Sequence, residues 1–329
     1  MRRVVLLTLA LSFALISAPV AQHRLQPIAT ERGEPALRLM LRKLDTVGNF
    51  MMTTAHPDDE NNAMLAFYAH GNGFRTSLVS ATRGEGGQNE IGPELFQAIG
   101  ILRGEELATA HRFDNADQYH TRAYEFGYSF SDEETFQKWG REEILEDVVR
   151  VVRRVRPDVI VTMPRQSGGG GQHHQAAAQL GHEAFHAAAD PNRFPDQIKE
   201  GLMPWQATKS YESGGGFGRG GRGAPAPRAS AGGASREVVA VQTGDYDPLL
   251  GMSWSQLGTL ARSAHLCQGM GQLASRPGPS QAGYMLVNGN PAGDTEKDIL
   301  DGIDLSLTRL ARFAKGQESP VPFLAADLD

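Results

Sequence analysis

From Gly140 to Arg156 the chain repeats apolar residues at helical spacing, with Ile144, Leu145, Val148, Val152 and Val155 on one stripe. Pro157 stops that helix, and Asp158 to Met163 (DVIVTM) follows as a nearly unbroken apolar run. Such a run fits a strand buried on both faces, as in a parallel sheet covered by helices on either side. The alternation recurs along the chain. Ala36 to Leu44 reads as a short amphipathic helix, Asn49 to Thr54 (NFMMTT) as a strand and Asn62 to His70 as a helix. Arg75 to Thr82 (RTSLVSAT) is a second strand, and Phe96 to Arg112 the helix after it. A helix at His174 to Ala189, strands at Gln206 to Tyr211 and Arg236 to Gln242, a helix at Ser255 to Gln268 and a terminal helix near Ile303 to Phe313 complete the pattern. It predicts an α/β fold with a mostly parallel sheet, whose ligands sit at the carboxyl ends of the strands.

The 329 residues suffice for one large α/β domain or two small ones. The 38 glycines point to long loops rather than a repeat array. Against 32 Lys and Arg stand 38 Asp and Glu, a net charge of −6, which argues against a nucleic-acid partner and leaves a small-molecule or glycan substrate open. Cys267 is the single cysteine, so any metal must be held by His and carboxylates. Arg2 and Arg3, the apolar run Val4 to Ile16, and the small residues Ser17, Ala18 and Ala21 have the layout of a secretory signal peptide over residues 1–21. That reading predicts an exported chain, periplasmic or secreted in a bacterium, with no membrane span after removal. An uncleaved anchor is the alternative, but the apolar run is shorter than the ~20 residues a spanning helix needs. Residues 213–235 (SGGGFGRGGRGAPAPRASAGGAS) lack any hydrophobic period and read as a flexible surface insertion.

Three polar clusters follow predicted strands. In Ala55-His56-Pro57-Asp58-Asp59-Glu60, His56 and Asp59 are three apart and near enough to bind one cation, with Asp58 beside it as a non-ligand. Zinc takes His nitrogen and carboxylate oxygen, and a catalytic zinc keeps three protein ligands and one open position. The competing reading is a surface acidic turn with an incidental His. A third ligand belongs on another strand end, where His174 follows the DVIVTM strand across a Gly-rich loop and begins a helix with inner face Ala178, Gly181 and Phe185. His173 is directed elsewhere, and His182 and His186 read as packing or surface. Arg83-Gly84-Glu85-Gly86-Gly87-Gln88-Asn89 offers donors from Arg83, Gln88 and Asn89, without the spacing of a phosphate loop or a dinucleotide fingerprint. Arg103 and Glu106 are three apart on a helix: either an exposed ion pair, or a clamp on substrate hydroxyls or phosphate held by Glu106.

AHPDDE after a first strand, TRGEGGQN after a second, an Arg-x-x-Glu helix, a His-led helix and the later run Ala261 to Gln268 (ARSAHLCQ) together resemble the PIG-L/LmbE deacetylases, over roughly residues 45–315. Phe113 to Phe130 looks like a large exported bacterial branch whose members carry further C-terminal domains, so a chain stopping at Asp329 would be a shortened member. The resemblance implies a Rossmann-like three-layer α/β/α sandwich over residues 35–318, interrupted by the insertion and followed by a tail at 319–329. It implies hydrolysis of an N-acetyl group on an N-acetylglucosamine-type sugar with one zinc ion per chain. His56, Asp59 and His174 match its ligands, Asp58 its general base, and Arg103 a substrate-binding arginine, with Arg83 and Asn89 beside it. The family often has His-x-x-His, and here the first position is Gly171. His173 or His265 then becomes the candidate to take over at the leaving amine. Cys267 reads as packing rather than as a nucleophile. Two rivals stand beside the hydrolase: a nucleotide-dependent transferase or oxidoreductase, which leaves AHPDDE unexplained, and a sugar-binding protein that keeps the fold with little or no activity.

Overall fold

A computed structural model of the chain describes residues 32–165, 171–214, 238–271, 275–291 and 296–313. The signal segment, the tail and the insertion beyond Gly214 lie outside these residues. In chain order the elements are α1 (Gly33–Leu44), β1 (Asn49–Thr54), α2 (Asn62–Ala66), β2 (Arg75–Ser80), α3 (Gln97–Asp114), β3 (Ala116–His120), α4 (Asp132–Trp139), α5 (Arg141–Val155), β4 (Val159–Thr162), α6 (Gln172–Ala187), α7 (Pro195–Lys199), β5 (Lys209–Ser213), β6 (Val238–Gln242), β7 (Tyr246–Asp247), β8 (Met252–Ser253), α8 (Trp254–Arg262) and β9 (Gln281–Asn288).

Seven strands form one sheet in the order β3-β2-β1-β4-β5-β9-β6, and β1 to β5 pair in parallel. β9 runs antiparallel between β5 and β6. Alternation along the central strands splits the core in two. Met51, Val79 and Ile160 face α5 and α6 residues such as Val148, Val152, Ala178 and Phe185. Phe50, Met52, Leu78, Val159 and Val161 face the other way, onto Met64, Tyr68, Leu107 and Ile299. Successive side chains of a strand point to opposite faces, so an apolar run such as VIVT is buried only if both faces are covered, which gives the three layers. Each large apolar side chain so buried contributes about 1.5–3 kcal/mol. Among the described residues no helix is long and apolar enough to cross a membrane.

Four features differ from the sequence reading. The helix expected at Asn62 to His70 is α2 followed by a π-turn over Phe67–Gly71. Ser255 to Gln268 is not one helix: α8 stops at Arg262, and a separate 3-10 turn covers Leu266–Gln268, which turns the intervening His265 inward. The terminal helix is a 3-10 segment, Leu307–Phe313. Ser213, assigned to the insertion, is buried as the last residue of β5.

Chain order moves outward from β1 through β2 to β3, then reverses to β4 and β5. The crevice between the carboxyl ends of β1 and β4 is therefore the topological switch point, where open α/β sheets bind ligands.

Candidate metal centre

Both halves of the crevice carry histidines. His56 to Glu60 leave β1, and α6 begins at Gln172, beyond the loop that leaves β4. Close packing of α6 brings its first turn over β1. A Cβ on Gly181 would lie 2.6 Å from Thr53 Oγ1 and 2.8 Å from Thr162 Cγ2, so glycine lets the helix rest directly on both strands.

His56 Nδ1 is 3.2 Å from His174 Nε2 and 3.3 Å from Asp59 Oδ2, and His174 Nε2 is 3.4 Å from Asp59 Oδ1. Ligand atoms held at roughly 2.0–2.1 Å around a tetrahedral zinc stand about 3.3–3.4 Å apart. The two nitrogens stand near that spacing and each meets one Asp59 oxygen at it, Oδ2 for His56 and Oδ1 for His174, so the three residues gather within 4.8 Å the nitrogen and carboxylate donors that zinc accepts. Asp59 is fixed from behind, because the His56 backbone N–H donates to its Oδ2 at 2.8 Å. Burial works to raise the Asp59 carboxyl, but His174 and His56 outweigh it and hold the group well below the usual carboxylate range. Burial likewise opposes the charged form of His56, and Asp59 reverses the net direction upward.

Asp58 sits beside this set in an unusual backbone state, φ +109°. Such a conformation in a non-glycine residue costs on the order of 1–3 kcal/mol and persists only where its surroundings hold it. Three contacts do so. The Asp58 N–H donates to Glu60 Oε2 at 2.8 Å, Arg262 Nη1 donates to the Asp58 carbonyl at 2.5 Å, and Arg103 Nη2 donates to the Pro57 carbonyl at 2.8 Å. Its own carboxylate lies 3.5 Å from Arg103 Nη2 and 3.8 Å from Arg262 Nη2, and the Gln268 side chain hydrogen-bonds to it. Burial, and then the Asp59 charge, push the Asp58 carboxyl up to about 6, against the pull of Arg103. A carboxylate near neutral affinity for its proton suits general acid–base work.

The other residues singled out from sequence fall in different places. Arg103 is buried beside Asp58, with Nη2 3.5 Å from its Oδ1. Its guanidinium donates to the Gly84, Gly87 and Pro57 carbonyls, locking the loops after β1 and β2 together. A Cβ on Gly84, at φ +75°, would lie 2.3 Å from that guanidinium, so the loop needs glycine there. Glu106, the expected holder of Arg103, instead accepts from the Cys267 backbone N–H at 2.8 Å. Arg83 is exposed. Asn89 folds back on its own loop, donating to Glu94 and accepting from the Ile91 and Gly92 N–H groups. His265 is fully buried on Glu60, Nε2 to Oε1 2.7 Å, and supports the motif from beneath. That partner holds the Glu60 carboxyl down at about 2, although burial works the other way. Cys267 is buried, and burial followed by Glu106 raises its thiol to about 11, which leaves it inert.

His173 departs most from its expected direction. It turns away from Asp59 but not from His56: its Nδ1 lies 3.2 Å from His56 Nε2 and 3.6 Å from Glu125 Oε1. Its ring stacks on Trp139 and meets the Phe126 ring edge-on. Burial pushes its imidazolium down to about 3, so the ring is neutral. At Gly171, φ +76°, an added Cβ would meet only Ser129 and Tyr128, each at 3.9 Å. Glu60, Glu125 and Arg262 were not picked out from sequence. Glu60 stood inside the quoted motif and Arg262 inside ARSAHLCQ. Nothing local marked Glu125, which reaches His173 only through the fold.

Residues 51–185 match the model of the PIG-L family, described as GlcNAc-PI de-N-acetylase, a shorter span than the resemblance of roughly 45–315 read from motifs. A 1D-myo-inositol 2-acetamido-2-deoxy-alpha-D-glucopyranoside deacetylase of Streptomyces scabiei is 32% identical over 197 residues, 54% of this chain and 57% of that protein. A second deacetylase of the same description, from Frankia alni, is 35% identical over 178 residues, 48% of this chain and 60% of that protein. The chain thus spans about 57–60% of the length of these relatives. The N,N'-diacetylchitobiose deacetylase of Pyrococcus horikoshii aligns with a TM-score of 0.46 at 16% identity, over 73% of this chain and 81% of that one. The match to the PIG-L family model runs from β1 into α6 and so takes in His56, Asp58, Asp59 and His174.

Proposed function

We propose that this chain is a zinc-dependent hydrolase that removes the acetyl group from an N-acetylglucosamine-type sugar or a related amide. The observation that carries the reading is the convergence of the His56, Asp59 and His174 donor atoms at the switch point, with the Asp58 carboxyl beside them. The family match and the deacetylase relatives support the same chemistry. A divalent cation held by those three residues would supply Lewis acidity, polarising the acetamide carbonyl and making water acidic enough to attack near neutral pH.

The chain's own part is orientation and proton transfer. Arg262 and Glu60 grip the Asp58 backbone on either side and so aim its carboxyl. Asp58 takes the proton of the attacking water and, once protonated, returns it to the departing amine. This route needs no histidine at Gly171. No acyl-enzyme forms, and the inert Cys267 thiol fits that. Residues 1–21 support export of the chain as part of this proposal.

Acetate release from a panel of N-acetylated sugars, including an N-acetylglucosaminyl inositol and N,N'-diacetylchitobiose, tests the reading. Release that a chelator abolishes and added zinc restores is the expected result. Sugar binding without acetate release on any member would favour the sugar-binding rival instead.

A further inference from the structure

The His173–Glu125 pair is not used by the mechanism above, yet it touches a proposed ligand. A neutral imidazole has one lone pair and one N–H. If His56 Nδ1 is to bind metal beside Asp59, its proton must sit on Nε2. That atom faces His173 Nδ1 at 3.2 Å. Resting on the metal-site reading, we infer that His173 is a positioning residue that accepts the His56 Nε2–H bond and thereby holds His56 in the tautomer whose Nδ1 lone pair faces Asp59 and His174.

Two observations support this role. The His173 ring is clamped between Trp139 and Phe126, so its Nδ1 is aimed by packing. In this arrangement the proton of His173 lies on Nε2, a buried atom without a hydrogen-bond partner among the described residues. Glu125 is fixed in turn by the Gly127 N–H, which donates to its Oε1 at 2.7 Å, and its carboxylate stands within 4.8 Å of the facing His56 and His173 nitrogens. Metal-binding histidines are oriented by such outer partners, whose loss commonly weakens metal affinity by about 10–100-fold.

His56, His173 and Glu125 also stand close enough to form a metal-binding triple of their own. It would compete for the same ring, because His56 cannot offer both nitrogens to metals while it keeps a proton. The two roles of His173, acceptor and ligand, are separable by stoichiometry.

The test is zinc affinity, by competition with a chromophoric chelator, of the full chain and of His173→Phe and His173→Asn, with the His56 tautomer read from long-range proton–nitrogen NMR. Phe keeps a ring between Trp139 and Phe126 but no acceptor, whereas Asn places its Oδ1 near the Nδ1 position. One zinc per wild-type chain is expected, with about 10–100-fold weaker binding in His173→Phe and recovery in His173→Asn. Wild-type His56 is expected to carry its proton on Nε2, with that preference lost in the Phe variant. Zinc bound by the wild type with equal affinity in both variants would overturn the inference and leave the metal site standing. A second zinc that disappears in His173→Phe would make His173 a ligand and overturn it too. No zinc bound by the wild type would remove the metal-site reading and this inference with it.

Discussion

A buried aspartate and a half-buried one stand at opposite ends of the sheet, and they are treated in opposite ways. Asp158, just before β4, accepts the Asn49 N–H at 2.9 Å and both Arg309 Nη atoms at 2.8 Å each. Each of its oxygens has a partner at hydrogen-bond distance, the bidentate geometry that makes a buried carboxylate tolerable. Asp58, just past β1, has arginines at 3.5 and 3.8 Å, a φ of +109° and a carboxyl pushed up to about 6 by burial and by Asp59. Closer pairing would settle its charge permanently. The difference teaches where to look for chemistry: a buried charge that ties the fold together is saturated, and one that must gain and lose a proton is held by its backbone and left without a close ion-pair partner.

The same substitution at both positions breaks or sharpens this contrast. Asp158→Asn should destabilise the fold by about 3–5 kcal/mol, because Arg309 is left buried without its counter-charge. Asp58→Asn should leave stability unchanged or raise it, since a half-buried charge without a close ion-pair partner is removed. Urea unfolding of both variants measures the difference, and a comparable loss in the two would erase it. A smaller effect is expected at Gly181→Ala. The added methyl must displace Thr53 or Thr162, at a cost of about 1–3 kcal/mol. Because α6 carries His174, zinc affinity should fall along with the melting temperature. Unchanged zinc affinity in a destabilised variant would mean that the seat of α6 does not set the site. The smallest effect belongs to the exposed pair of Arg122 with Asp147 on α5, where Arg122→Ala should cost less than about 1 kcal/mol.

Much of the layout was legible in the sequence because the central strands are short apolar runs bounded by turns or loops. Asn49 to Thr54 was read with the bounds that β1 has, and DVIVTM contains β4. β3 was missed: ADQYH is a polar edge strand with no apolar period to detect. So was β9, whose place between β5 and β6 depends on a long-range pairing that no local pattern encodes. α4 offers only Thr135 and Trp139 to the interior, too little for a stripe. At the site, His56, Asp58 and Asp59 lie within one motif directly after a strand, so sequence proximity becomes spatial proximity. The backbone contacts of Arg103 were not legible, because an arginine on a helix beside a glycine loop looks the same in sequence whether it faces a ligand or backbone carbonyls. The roles of Glu125 and Arg262 arise from contacts across the fold, 48 and 204 residues away from His173 and Asp58 respectively.

The division of labour between Asp58 and Asp59 is the centre of the account, and one paired measurement tests it most directly: zinc content by elemental analysis, with acetate release on the same samples, for Asp58→Asn and Asp59→Asn. Asp58→Asn should retain zinc while turnover falls by about 10²-fold or more, the usual effect of losing a positioned acid–base group. Asp59→Asn should lose zinc and activity together. Asp58→Asn that keeps full turnover, or that loses zinc as completely as Asp59→Asn, would contradict the account.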